Sequence, residues 1–311
     1  MYKHEEFYYD SRDMKHKIHA DKFIPEKDIR AILIIVHGMG EHMGRYAEMC
    51  KFFAEEHILV AGCDHLGHGK TAEAENEFGF FTEQDPATVV VRDVHRLKKL
   101  VQQDYPELPV FICGHSMGSF IVRNYIQMYG SGVDAAFLMG SGDVEPSKLH
   151  VGKFLISMIA AVKGGNYVSR MCTALSLQDY DKNPDSDEYP FQWGCSRAEV
   201  REAEKNDPLS GHEFTVNGYY ALADFLIRAN DKNRIDKIPK DLPIWFMSGA
   251  QDPVGGYGKF IEKAAEKYKD RGLTDVSVTI YPNDRHELYN EPNRFDIFID
   301  MLKYMGKHGM K

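Results

Sequence analysis

Gly114-His115-Ser116-Met117-Gly118 follows the apolar run Pro109-Val110-Phe111-Ile112-Cys113. It precedes a segment in which Phe120, Ile121, Val122, Tyr125, Ile126 and Met128 recur at helical spacing. The run predicts a strand, the spacing predicts a helix, and the serine falls at the turn between them. A strand that reverses sharply into a helix strains the backbone of its turn residue, and the flanking positions must then lack a Cβ. Gly114 and Gly118 meet that need. Such a turn lifts the Ser116 hydroxyl above the sheet edge and aims the Met117 amide at the place where an oxyanion would form. The pentapeptide reads as a nucleophile elbow.

Outward from the elbow, strands and helices alternate. Ala31–Val36 is an apolar run of the buried, parallel-sheet kind, followed by the loop His37-Gly38-Met39-Gly40. A helix is predicted over residues 45–57, a strand over Ile58–Cys63 and a long helix over 86–103. Further strands follow at Ala135–Met139, 242–248 and Val276–Tyr281, the last two each leading into a helix. Residues 7–24 read as two short strands around a turn at Asp10, Ser11 and Arg12. The expected class is α/β, a mostly parallel doubly wound sheet with an N-terminal antiparallel hairpin. Between about Asp143 and Lys240 the alternation gives way to helical stretches, Pro and Gly breaks and polar turns such as Lys182-Asn183-Pro184-Asp185. This predicts a helical cap, residues 143–240, inserted into a core of 1–142 and 241–311. An insertion at that point lies over the carboxyl ends of the strands, where open α/β sheets bind ligands.

With 311 residues, 43% of them hydrophobic, the chain can bury one large core. A net charge of −9 and the absence of a long Lys/Arg run argue against nucleic acid as a partner. The five cysteines (Cys50, Cys63, Cys113, Cys172 and Cys195) form no Cys-x-x-Cys pair and are odd in number, which indicates neither a zinc ribbon nor a disulfide framework. Acidic residues stand where a secretory signal needs an apolar run, so a cytoplasmic location is expected. The longest apolar stretch, residues 151–162, is interrupted by Lys153 and is too short to cross a bilayer.

A serine hydroxyl needs a base to take its proton, usually a histidine held in one tautomer by a carboxylate. Behind an elbow of this kind the chain order is serine, acid, histidine, with the base in a loop after the last strand. His286 occupies that place, after Tyr281 and the polar turn Pro282-Asn283-Asp284-Arg285. Asp252, just beyond the preceding strand, is the expected acid. Asp284 competes for that role, but a residue two positions from the histidine does not ordinarily reach back to its ring and is better read as a turn former. The second oxyanion donor is expected from the loop after the early strand, at the Met39 amide, with Gly38 and Gly40 permitting the geometry. His37, Glu41 and His42 raise the question of a metal site. Their spacing and the glycines favour a loop, so no metal is expected. Asp64-His65-Leu66-Gly67-His68-Gly69 reads as a structural loop bracing the site.

With these residues placed, the sequence resembles the monoacylglycerol lipase and bacterial lysophospholipase group of α/β-hydrolases, also grouped with serine aminopeptidases. The resemblance spans nearly the whole chain. It rests on His37-Gly38-Met39-Gly40-Glu41-His42, on Asp64 to Gly69, on the elbow with His115 and Met117, and on Asp252 and His286 with Glu287. Asn206-Asp207-Pro208-Leu209 looks like a cap element of the group. The resemblance implies a Ser116, His286, Asp252 triad, an oxyanion hole at the Met39 and Met117 amides, no cofactor, and a lipid-like ester as substrate. A short-chain carboxylesterase or thioesterase is the alternative among enzymes, with an aminopeptidase behind it because the cap shows no clear acidic cluster for an ammonium group. A non-catalytic ligand-binding protein on the same fold is the alternative from another class. In the cap, Val151, Phe154, Leu155, Met158, Ile159 and Val162 form an apolar stripe. The stripe fits an acyl tunnel, a transient membrane-surface contact, or simple packing on the core.

Overall fold

A computed structural model describes residues 1–177, 180 and 192–310. Among them the strands are β1 (Tyr2–Asp10), β2 (Lys17–Pro25), β3 (Ala31–Val36), β4 (Ile58–Cys63), β5 (Val110–His115), β6 (Ala135–Met139), β7 (Ile244–Gly249) and β8 (Val276–Tyr281). The helices are α1 (Ala47–Glu55), α2 (Pro86–Gln102), α3 (Met117–Tyr129), α4 (Pro146–Lys163), α5 (Arg170–Leu177), α6 (Ala198–Lys205), α7 (Val216–Asn230), α8 (Lys232–Ile235), α9 (Lys259–Asp270) and α10 (Arg294–Lys307).

The strands form one sheet in the order β1-β2-β4-β3-β5-β6-β7-β8. β1 and β2 are an antiparallel hairpin joined antiparallel to β4, and every pairing from β4 to β8 is parallel. The expected fold class is therefore borne out. β3 shows why a continuous apolar run was required. Its alternate residues Ile32, Ile34 and Val36 face a core shared with α2, α3, α7 and α9, while Ala31, Leu33 and Ile35 face one shared with α1 and α10. Both faces are covered, so no polar alternation appears.

Element ends differ from the sequence expectation in physically readable ways. β1 begins at Tyr2, earlier than the apolar pattern suggests, with Glu5 and His4 held by Lys22 (3.1 Å) and Asp21 (2.6 Å) of the paired strand and the rings of Tyr2 and His4 lying against Phe23. The helix expected over 45–57 opens as a 3-10 turn and becomes α-helical at Ala47, and it stops before His57, which has φ of 66°. β7 starts after Pro243, whose missing N–H limits it to accepting, here from Ala136 N at 3.0 Å.

Between β6 and β7 the chain runs through α4–α8. α4 packs on α7, and α7 packs on α3 of the sheet layer. Arg123 of α3, fully buried, fixes both ends of this excursion. It donates to Gly142 O (2.9 Å) where the excursion leaves the sheet, and to Ala229 O (3.2 Å) and Asn230 Oδ1 (3.0 Å) where α7 ends. The predicted polar turn Lys182-Asn183-Pro184-Asp185 lies outside the described residues. α4 buries Leu149 and Ile156 and leaves Val151 (61%), Phe154 (64%), Met158 (54%) and Val162 (77%) exposed, so simple packing on the core does not account for the stripe. No helix among the described residues is long and apolar enough to cross a membrane.

Candidate active site

The site lies at the carboxyl ends of β3, β5, β6, β7 and β8. Ser116 joins β5 to α3 with φ of 52° and ψ of −121°, a strained conformation for a residue with a side chain. The two flanking glycines make the turn sterically possible. A Cβ on Gly118 would lie 2.0 Å from Val36 O, and one on Gly114 would lie 2.3 Å from Gly118 O. Backbone bonds then lock it, Ser116 N donating to Met139 O at 3.0 Å and Ser119 N to Ser116 O at 2.9 Å. As the first residue of α3, Met117 has an amide with no acceptor inside the helix.

Asp252 and His286 are brought together. The Asp252 carboxylate, wholly buried, accepts from Val254 N (2.8 Å) and from the Ser248 hydroxyl (3.1 Å). His286 Nδ1 stands 3.0 Å from Asp252 Oδ1, an ion-pair distance with the ring N–H not aligned for a hydrogen bond, and Nε2 has no hydrogen-bond partner among the described residues. Burial lowers the basicity of His286, but Asp252, Glu287 and Glu41 outweigh it and hold the ring above the ordinary histidine value. Asp284 is engaged elsewhere, its Oδ2 accepting from Asn293 Nδ2 at 2.9 Å. Gly140, at φ of +57°, is a site residue the sequence reading missed. A Cβ there would fall 2.9 Å from His286 Cε1, so the ring can reach its place only over a glycine.

The loop after β3 approaches the serine from the other side. A Cβ on Gly38 would sit 3.2 Å from Ser116 Cβ, Gly40 has φ of +66°, and Met39 is half-buried between them. The Gly38 amide donates to the Glu41 carboxylate, and among the described residues the Met39 amide donates to no backbone group. Glu41 is the polar centre behind the loop, accepting from Tyr46 (2.6 Å), Tyr289 (2.7 Å) and His115 Nδ1 (3.1 Å). Burial would raise this carboxyl, yet His115, Arg45 and His37 together hold it well below its usual range. Arg45 also pairs with Glu287 (2.8 Å) beside His286 and with Glu204 (2.5 Å) on α6. His42 pairs with Asp207 at 2.7 Å, and Gly211 N donates to Gly40 O at 2.8 Å. The region around α6 is thereby tied to the loop.

His37, Glu41 and His42 do not converge as metal ligands. His37 donates from Nδ1 to Gly38 O (2.8 Å) and accepts His65 N at Nε2 (2.9 Å), while His42 turns to Asp207. Burial lowers His37, drives His65 well down and brings His68 to about 3, so these rings sit neutral at pH 7. Asp64 braces the same loops, accepting from Met43 N (2.8 Å), Lys70 N (2.8 Å) and His19 Nδ1 (3.0 Å). Burial alone would raise Asp64, but His19, His37 and these amides bring it from 3.8 to about 2. A depressed carboxyl contributes stability above its unfolded pKa, and loses it as the pH falls from 3.8 through about 2. Asp64→Asn is expected to cost roughly 3–5 kcal/mol at pH 7, read as a lower urea midpoint. It should also flatten the parent's loss of stability over that acid range.

Together the sheet order, the elbow and the loops at the strand ends define an α/β hydrolase. The family model described as serine aminopeptidase, S33, matches residues 27–293, and the chain belongs to that hydrolase family. It is 26% identical over 295 residues to a monoacylglycerol lipase of Mycolicibacterium smegmatis, covering 94% of each chain. A monoglyceride lipase of Rattus norvegicus is 36% identical over 117 residues, 35% of this chain and 37% of that one. The crystal structure of a highly thermostable carboxyl esterase from Bacillus coagulans in complex with glycerol superposes with a TM-score of 0.91 at 27% identity, covering 98% of each chain.

Proposed function

We propose that this enzyme hydrolyses carboxylic esters of lipid-like substrates, monoacylglycerols or lysophospholipids, through an acyl-enzyme on Ser116. The observation that carries the reading is the strained, glycine-flanked Ser116 together with a buried His286–Asp252 pair whose ring nitrogen Nε2 has no hydrogen-bond partner among the described residues. Ser116 Oγ attacks the ester carbonyl as His286 takes its proton at Nε2, and the negative oxygen is received by the Met39 and Met117 amides. Collapse of the tetrahedral adduct breaks the bond to the alcohol oxygen, which takes the proton from His286. Water, deprotonated by the same ring, then releases the fatty acid and restores Ser116. The scheme uses no cofactor.

Residues 143–240 act as a cap inserted in a core of 1–142 and 241–311. Support for a lipid substrate comes from the exposed face of α4, which borders an open groove of about 370 Å³ lined in part by Met158, Ile159, Val162, Tyr167 and Met171. A transient contact with a lipid surface through this face fits the same exposure. Besides Asp252, the carboxylates that bear on His286 are Glu287 and Glu41, and both are drawn to Arg45, which favours an ester over a substrate ammonium group.

The reading is tested with monoacylglycerols and p-nitrophenyl esters of increasing acyl length. If the chain leaves water on binding, kcat/KM should rise by up to roughly fourfold per methylene until the groove is filled. A maximum at acetate or butyrate would make the enzyme a short-chain esterase. A folded protein that neither turns over any ester nor takes a fluorophosphonate label would be a binding protein.

A further inference from the structure

Residues 192–197, which lead into α6, are bonded to the histidine loop one residue after another. His286 N donates to Trp193 O (3.4 Å) and Glu287 N to Gly194 O (2.7 Å). The Arg285 guanidinium donates to Gln192 O, and Ser196 N donates to Glu291 Oε1 at 2.9 Å. This register lays the indole of Trp193 against the imidazole of His286, with ring centroids 5.0 Å apart and planes at 55°. The sequence holds two tryptophans. The other, Trp245, packs against Phe137 and Tyr304 on the sheet.

We propose that Trp193 is a positioning residue for His286, its indole face stabilising the imidazolium that forms when Ser116 gives up its proton. The inference rests on the triad reading above. An aromatic face carries partial negative charge and attracts a cation within about 6 Å of its centroid, tryptophan most strongly. A neutral imidazole gains little from that face. The attraction therefore appears chiefly as the proton arrives, which lowers the barrier without tightening the ground-state complex. The charged and titratable groups that bear on His286 are Asp252, Glu287 and Glu41, with His115 in ring contact at 4.7 Å. Arg45 pairs with both Glu41 and Glu287 and so blunts, without cancelling, their pull on the ring.

The test is the pH profile of kcat/KM and the separate kcat and KM values of Trp193→Leu and Trp193→Phe. His286 must be neutral to act as base, so in the parent the acid limb should lie above the ordinary histidine value of 6.5. Removing the indole lowers the histidine's pKa. The limb in Trp193→Leu should move about half to one pH unit lower. At the plateau kcat should fall about threefold to tenfold with KM little changed. The phenylalanine variant should shift the limb the same way by less, and it carries the test if the leucine variant does not fold. An unmoved limb in folded protein, or a change confined to KM, overturns the proposal. Ser116→Ala run in parallel separates the two readings. Persistent turnover there removes the triad itself, whereas a dead Ser116→Ala beside an unmoved limb removes only the role of the indole.

Discussion

Alanine at position 116 is expected to lower kcat by roughly a millionfold, while the protein melts at the temperature of the parent. The size follows from what the substitution removes. Only Oγ is lost, which in the proposed mechanism is the atom that bonds to the acyl carbon, so the site would be left with only the proposed oxyanion donors and substrate binding to act on water. The fold is spared because the bonds that hold the elbow are made by the Ser116 backbone, to Met139 O and from Ser119, and its side chain caps nothing. Alanine meets the same φ of 52° as serine and adds no new strain. The check is turnover of a monoacylglycerol beside labelling by a fluorophosphonate. Loss of both signals with an unchanged melt fits the serine as nucleophile. A residual rate within about tenfold of the parent would place the chemistry elsewhere.

How far this site could be read from the sequence depended on how local each determinant is. Strands buried on both faces, such as Ala31–Val36 and Ile58–Cys63, announce themselves as unbroken apolar runs, and their bounds were legible to the residue. The elbow was legible for a related reason, since its two glycines answer clashes with atoms a few residues away or on the neighbouring strand. Gly140 and Trp193 were not. Nothing near Gly140 in the chain shows that the His286 ring must pass over it, and nothing near Trp193 shows that its segment pairs with the histidine loop. The stripe on α4 was legible as a stripe. Its orientation was not, because the spacing that marks an apolar face does not say which neighbour covers it. Leu149 and Ile156 turn inward against α7 and the core, and Val151, Phe154, Met158 and Val162 turn out. A reader of sequence alone could have singled out Trp193 by one signal, its being the single tryptophan of residues 143–240.

Asp252→Asn is the second large effect, a fall in kcat of roughly ten-thousandfold, and it decides between the two aspartates near the histidine. The carboxylate receives Val254 N on Oδ1 and the Ser248 hydroxyl on Oδ2, while Oδ1 also faces His286 Nδ1. An asparagine has one oxygen for these two donors and the facing ring nitrogen. If its oxygen stays on Val254 N, the Ser248 hydroxyl meets an amide N–H. If the amide is reversed, its N–H points at the Val254 amide and at the ring. Either arrangement weakens the preference for a proton on Nδ1, and the tautomer with the proton on Nε2 cannot accept one from Ser116. It also removes the negative charge that helps hold His286 above its ordinary pKa, so the acid limb of the residual activity should move to lower pH. Asp284→Asn should behave differently. That carboxylate accepts from Asn293, and burial already raises its pKa, so neutralising it costs little charge stabilisation and leaves the ring's partner in place. Its kcat should stay within about tenfold of the parent. Should the Asp284 variant instead lose activity as steeply as Asp252→Asn, the acid of the triad would have to be reassigned to the turn beside His286.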